Sequence, residues 1–141
     1  MKLGTAGAVL SFAIDLEARS ADFYEEAAIL ASASAHREAY SSLAEAKRER
    51  KKLLERSRRE YLNEILLEPI DGLEASQQLG QTGLSSPKDP EAARQVAKQL
   101  ESETQRLYLD AAALIALPQI ARVLRRLAQG NADHEQRLDP L

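Results

Sequence analysis

The chain has 141 residues, 44% of them hydrophobic and 29% charged, with a formal net charge of -3. That is the length of one domain with enough apolar residues for a single core. With no cysteine, the chain has no disulfide, no thiolate metal site and no iron–sulfur centre of its own.

Ala, Leu, Glu and Arg dominate the sequence, which favours helix. The opening "MKLGTAGAVLSFAI" has the Lys and short apolar run of a signal peptide, but it reads better as the first turns of an amphipathic helix. The apolar spacing continues through Tyr24 and Ala28, and predicts helix from about Thr5 to Ala33. One face collects Leu10, Ala13, Ile14, Glu17, Ala21, Tyr24 and Ala28. Glu17 is the anomaly there, because a buried carboxylate is costly unless it is paired or binds something.

The stretch "ASASAH" marks a break, with Ser32 or Ser34 as the expected N-cap of a second helix. That helix is predicted to end near Leu67, with His36, Tyr40, Leu43, Lys47, Arg50, Leu54, Ser57 and Tyr61 on one face. Residues 47–60 hold 8 basic and 3 acidic residues. This reads as a solvated face, or a docking face for an acidic protein partner. Glu49, Glu55 and Glu60 interrupt the run, Glu55–Arg59 and Arg56–Glu60 are i,i+4 pairs, and no aromatic residue interleaves for base stacking. Nucleic acid is therefore not the expected partner.

A long connection follows, over about 68–89, with one short helix expected near Leu73–Leu79 and stopped by Gly80. Asp89-Pro90-Glu91 is a strong helix start, and the third helix is predicted to reach about Ala116. Pro118 opens the fourth, whose face holds Ile120, Val123, Leu124, Leu127, Asn131, His134 and Leu138. No apolar run reaches the roughly 18–20 residues of a membrane span, so no membrane association is expected.

The sequence repeats at a shift of 84 residues. Ala13, Leu16, Glu17, Tyr24, Ala27, Ala28 and Leu30 match Ala97, Leu100, Glu101, Tyr108, Ala111, Ala112 and Leu114, and "LAEAKRERKKLL" falls on "LAQGNADHEQRL". Two copies of one helical hairpin are implied, at about 5–67 and 90–139, within a single domain spanning 1–141. Glu17 has a twin in Glu101. The expected fold is all-α, an antiparallel four-helix bundle with a long crossover between its second and third helices.

The paired Glu-x6-Tyr motifs, followed by "SSLAEAKRERKKLL", resemble the ferritin-like superfamily, closest to the rubrerythrin-like branch. That resemblance covers both hairpins. It implies two irons held by one Glu from the first helix of each hairpin and a Glu-x-x-His from each second helix, with the tyrosines hydrogen-bonding nearby. Carried onto this sequence, the first-helix carboxylates are Glu17 and Glu101. The Glu-x-x-His positions fall on Lys47 and Arg50 in one hairpin, and on Asn131 and His134 in the other. Tyr24 and Tyr108 match the tyrosines that the resemblance places beside the metal site, hydrogen-bonding into it. Of six ligands, only Glu17, Glu101 and His134 remain. Lys47 and Arg50 cannot bind a metal in their charged forms. His36 lies about 16 Å along the helix from Lys47.

The charges of Glu17, Glu101, Lys47 and Arg50 cancel without a metal. The expectation is that a salt-bridged cluster replaces the di-iron centre, with Glu17 paired to Lys47 or Arg50. No cofactor is then required. The chain reads as a non-catalytic structural or interaction protein rather than an enzyme, cytoplasmic and homodimeric. Two readings compete with this one. In the first, Glu17, Glu101 and His134 hold a single iron or other divalent ion for oxidoreductase chemistry on iron or peroxide. In the second, the basic helix binds nucleic acid or an acidic partner.

Overall fold

The computed structural model describes residues 1–80 and 84–141. It is an all-helical bundle with four long helices. These are α1 (Ala6–Leu30), α2 (Ser34–Glu60), α4 (Pro90–Leu114) and α5 (Pro118–Leu138), with a single helical turn, α3 (Leu62–Ile65), after α2. At 25 residues, α1 and α4 are each about 38 Å long. Among the described residues no helix is long and apolar enough to cross a membrane.

α1 packs on α2 and α4 on α5, and the two pairs meet along α1–α4 and α2–α5. Tyr24 stacks on Tyr40 across α1 and α2, with ring centroids 6.0 Å apart. Arg94 near the start of α4 donates to the Leu138 carbonyl at the end of α5. The members of each pair therefore run in opposite directions, as short turns require.

Both α1 and α4 begin with a side-chain cap. Thr5 accepts from the Ala8 N–H at 3.0 Å, and Asp89 accepts from the Ala92 N–H at 2.8 Å, with Pro90 opening α4. The expected Ser cap of α2 is absent. Ala33 occupies that position and makes no side-chain cap bond. Arg37 instead turns back and donates to the carbonyls of Ala31 and Ser32, which answers the need for partners at the end of α1.

The second helix also stops earlier than its pattern suggests. Tyr61, at φ -114 and ψ 24, breaks it after Glu60. The break swings Ile65 into full burial. Gly7 makes room for this, because a Cβ there would lie 3.1 Å from the Leu66 carbonyl oxygen.

The connection after α3 holds no helix at Leu73–Leu79 beyond a 3-10 turn at Gln77–Leu79. Its first part is extended and pairs with the chain's first residues. Ile70 N–H donates to Gly4, Leu3 N–H to Leu73, and Ala75 N–H to Met1. Leu73 and Ala75 are buried while Glu74 is exposed, the alternation of a strand rather than a helix. Farther on, Arg19 of α1 donates to the carbonyls of Leu79 and Gly80. The segment thus climbs along α1 towards the end where α4 begins. The expected interval 81–83 of the connection lies outside the described residues.

Asp89→Ala removes the cap of α4 at an exposed site. It is expected to lower stability by about 1 kcal/mol, read as a reduced urea midpoint with an unchanged m-value.

Candidate functional site: a closed ion-pair network

All seven residues of the α1 stripe are buried, and Glu17 is fully so. The 3.6-residue period that carries Leu10, Ile14, Ala21 and Tyr24 into the core leaves Glu17 no other direction. On α4, Ala97, Leu100, Leu107 and Tyr108 do the same to Glu101. α2 contributes Lys47 and Arg50, and α5 contributes Asn131 and His134, all buried. The residues singled out in the sequence converge at the middle of the bundle. His36 stands apart from them.

The two carboxylates have separate sets of donors. Arg50 grips Glu17 with both arms of its fork, Nε to Oε1 at 2.8 Å and Nη2 to Oε2 at 3.1 Å, and Tyr108 donates its hydroxyl to Glu17 Oε2. Glu101 takes Lys47 Nζ at 2.9 Å, Asn131 Nδ2 at 2.8 Å and His134 Nδ1 at 3.2 Å, all on Oε1, with the Tyr24 hydroxyl on Oε2. Arg50 links the two halves, donating to Asn131 Oδ1 at 2.9 Å and to the Leu127 carbonyl at 2.8 Å. It also lies 5.7 Å from the centre of the Tyr108 ring.

The contacts follow the 84-residue shift. Tyr24 reaches Glu101 and Tyr108 reaches Glu17; Arg50 reaches Glu17 and His134 reaches Glu101. The correspondence fails at Lys47 and Asn131, which both turn to Glu101.

The electrostatics follow from the pairing. Burial pushes the Glu17 carboxyl up, but the charges of Arg50 and Lys47, with hydrogen bonds from Arg50 and Tyr108, outweigh it and hold Glu17 below its ordinary value. Burial acts on Glu101 in the same way and is overcome by Lys47, His134 and Tyr24, which keep it well below the carboxylate range. Burial pushes the Lys47 ammonium down, and Glu101 offsets this only in part. Arg50 is also opposed by burial, yet the adjacent Glu17 carries it above its ordinary value. Burial and the neighbouring carboxylates push both tyrosine hydroxyls well above the usual phenol range.

This donor set does not fit a di-iron centre. Two cations and an amide stand where three ligands would be needed, and the carboxylate oxygens are already taken by N–H and O–H donors. Among the described residues no three His, Asp or Glu side chains converge in a way that could hold a metal ion.

Sequence reasoning left open which cation meets which carboxylate, and the structure assigns Arg50 to Glu17 and Lys47 to Glu101. It missed three features: the crossing of each tyrosine to the other hairpin's carboxylate, the Leu127 carbonyl as an acceptor, and Gly130. A Cβ on Gly130 would lie 3.0 Å from Arg50 Nη1. A glycine within the predicted fourth helix was the available signal, since glycine there costs about 1 kcal/mol relative to alanine.

Outside the network, the expected pairs Glu55–Arg59 and Arg56–Glu60 do not form. The basic helix is instead tied by Arg48 to Glu45 and Glu25, and by Lys52 to Glu49. Side chains three or four apart are equally near on a helix, and rotamer choice decides between them.

No family model matches the chain, and no curated protein matches its sequence. Among solved structures, a hypothetical protein from Pyrococcus furiosus is similar in fold, with a TM-score of 0.71 over 96% of this chain and 87% of that one, at 18% identity. The fold is thus shared with an archaeal protein.

Arg50→Met leaves Glu17 buried without its cation and is expected to cost about 3–5 kcal/mol. Adding Glu17→Gln should recover part of that loss, and a double-mutant cycle in urea measures how much.

Because Glu17 and Glu101 have lowered folded values, their stabilisation is present above the ordinary carboxylate value of 4.5 and is lost as pH falls below it. Thermal unfolding from pH 7 down to pH 3 should show this loss, and Glu101→Gln should flatten the acid limb.

Proposed function

We propose that the chain is a ferritin-like, rubrerythrin-like four-helix bundle with two repeated hairpins and a long crossover. In this reading its di-iron site has given way to the Glu17–Arg50 and Glu101–Lys47 pairs, and the protein works without catalysis, as a structural or interaction protein. The observation that carries the reading is the location of the replacement. Lys47, Arg50 and Asn131 occupy ligand positions implied by the family resemblance, and each donates to a carboxylate that would otherwise face a metal. The shared fold of the archaeal protein is compatible with this reading and says nothing of its activity.

The charge balance supports the same conclusion. A divalent ion entering beside Glu17 and Glu101 would have to displace two buried cations, each held by a charge-assisted hydrogen bond. Self-association is part of the proposal. Leu62, Leu66 and Leu67, 44%, 53% and 80% exposed, lie close together in sequence just after α2, an apolar stretch suited to a second copy of the chain.

The test is anaerobic loading with Fe(II), followed by metal analysis of the protein. The native chain should stay empty, while Lys47→Glu/Arg50→His/Asn131→Glu, which restores the six-ligand pattern, should take up about two irons per chain. A full equivalent of iron held by the native chain would overturn the proposal and move oxidoreductase chemistry at Glu17, Glu101 and His134 to the front.

A further inference from the structure

The seam between α2 and α5 is looser than the packing within each hairpin, and it opens into a cleft of about 400 Å³ beside the buried network. Its lining carries a net positive charge. Arg56 and Arg126 stand exposed at its sides, and Arg50 and His134, 7% and 8% exposed, lie deeper. Glu49 is the one acidic residue of the lining, and it is engaged by Lys52 Nζ at 3.3 Å. Arg56 and Arg126 have no carboxylate partner among the described residues.

The deeper groups carry unused hydrogen-bonding capacity. A guanidinium has five N–H donors. Arg50 spends one on Glu17 from Nε, two from Nη2 on Glu17 and Asn131, and one from Nη1 on the Leu127 carbonyl. The second N–H of Nη1 has no acceptor among the described residues, and it belongs to the atom that lies against Gly130 on the cleft wall. The small residue keeps that approach open. His134 uses Nδ1 towards Glu101. A carboxylate only accepts, so Nδ1 carries the proton of that contact. Nε2 has no partner among the described residues.

We propose that this cleft binds a small phosphorylated molecule. Arg56, Arg126 and the free N–H of Arg50 take the phosphate oxygens, with His134 beside them in the lining. The volume is in the range of small-ligand sites and larger than bare phosphate needs. An organic remainder would lie against Leu53 and Leu127, the larger apolar residues of the lining. The match is chemical as well as electrostatic. Arginine forks suit phosphate oxygens.

The experiment is isothermal titration of the full chain with inorganic phosphate, and separately with succinate, at constant ionic strength and pH 7. Phosphate should bind one to one with a dissociation constant of about 1 mM or tighter, and succinate roughly fivefold more weakly or worse. Arg56→Gln and Arg126→Gln, both exposed substitutions that leave the core intact, should each weaken phosphate binding by roughly threefold to tenfold. Arg59→Gln changes the net charge equally but lies outside the cleft, and should leave phosphate binding unchanged. Absence of saturation, equal or tighter binding of succinate, or an equal loss in Arg59→Gln would each overturn the proposal. The readout involves no metal, so its failure is separate from failure of the ferritin-like reading.

Discussion

Two fully buried carboxylates must be neutralised for this bundle to close, and that requirement organises its interior. Glu17 and Glu101 are 0% exposed, where an unpaired charge would cost several kcal/mol. The protein meets the demand with two cations from one helix. Arg50 ties α2 to its hairpin partner α1, and Lys47 reaches from α2 to α4, a helix with which α2 shares little direct packing. The polar network thus supplies a link that apolar contacts do not. Asn131 is the hinge of the arrangement, since it accepts from Arg50 and donates to Glu101. Its amide has one correct orientation, set by those two partners.

Such a network is a poor source of net stability, because desolvation offsets most of the attraction. Its effect is on uniqueness. The apolar core is rich in Ala and Leu, whose faces pack acceptably in neighbouring registers. A one-turn slip of α4 along α1 would separate Tyr108 from Glu17 and Tyr24 from Glu101 in the same movement, leaving buried groups without partners. The tyrosines therefore set the register between the hairpins, and Arg50 and Lys47 set the position of α2. The hydroxyls can serve in this way because both are held protonated, with values well above the usual phenol range.

Much of this was legible in the sequence because helical periodicity is a local property. The stripe from Leu10 to Ala28, the Asp89-Pro90 start and the burial of Lys47 and Arg50 follow from spacing alone. The 84-residue shift then indicates which positions share a site. Partner choice was not legible. Whether Glu17 meets Lys47 or Arg50 depends on helix rotation and on side-chain reach, and the sequence specifies neither directly. The N-terminal strap was hidden for a different reason. Residues 1–5 and 68–75 are too short and too mixed to show a strand period, and they become ordered by pairing with each other. The end of α2 was misplaced because the apolar spacing runs on through Tyr61 and Ile65, although the backbone turns between them.

The asymmetry between the hairpins links the sealed interior to the surface. The first hairpin carries both cations, Lys47 and Arg50, where the second carries the smaller neutral Asn131 and His134. Lys47 is wholly enclosed, with its charge spent on Glu101. Arg50 has the larger head group, and after satisfying Glu17, Asn131 and Leu127 it has one donor left over. That surplus faces the seam where α2 and α5 separate, beside a glycine that allows the approach and a histidine with a free nitrogen. A lysine at position 50 would deliver a single ammonium to one carboxylate and could not reproduce this planar, five-donor bridge. The same residue therefore closes the buried polar centre from within and presents a polar floor to the cleft outside it.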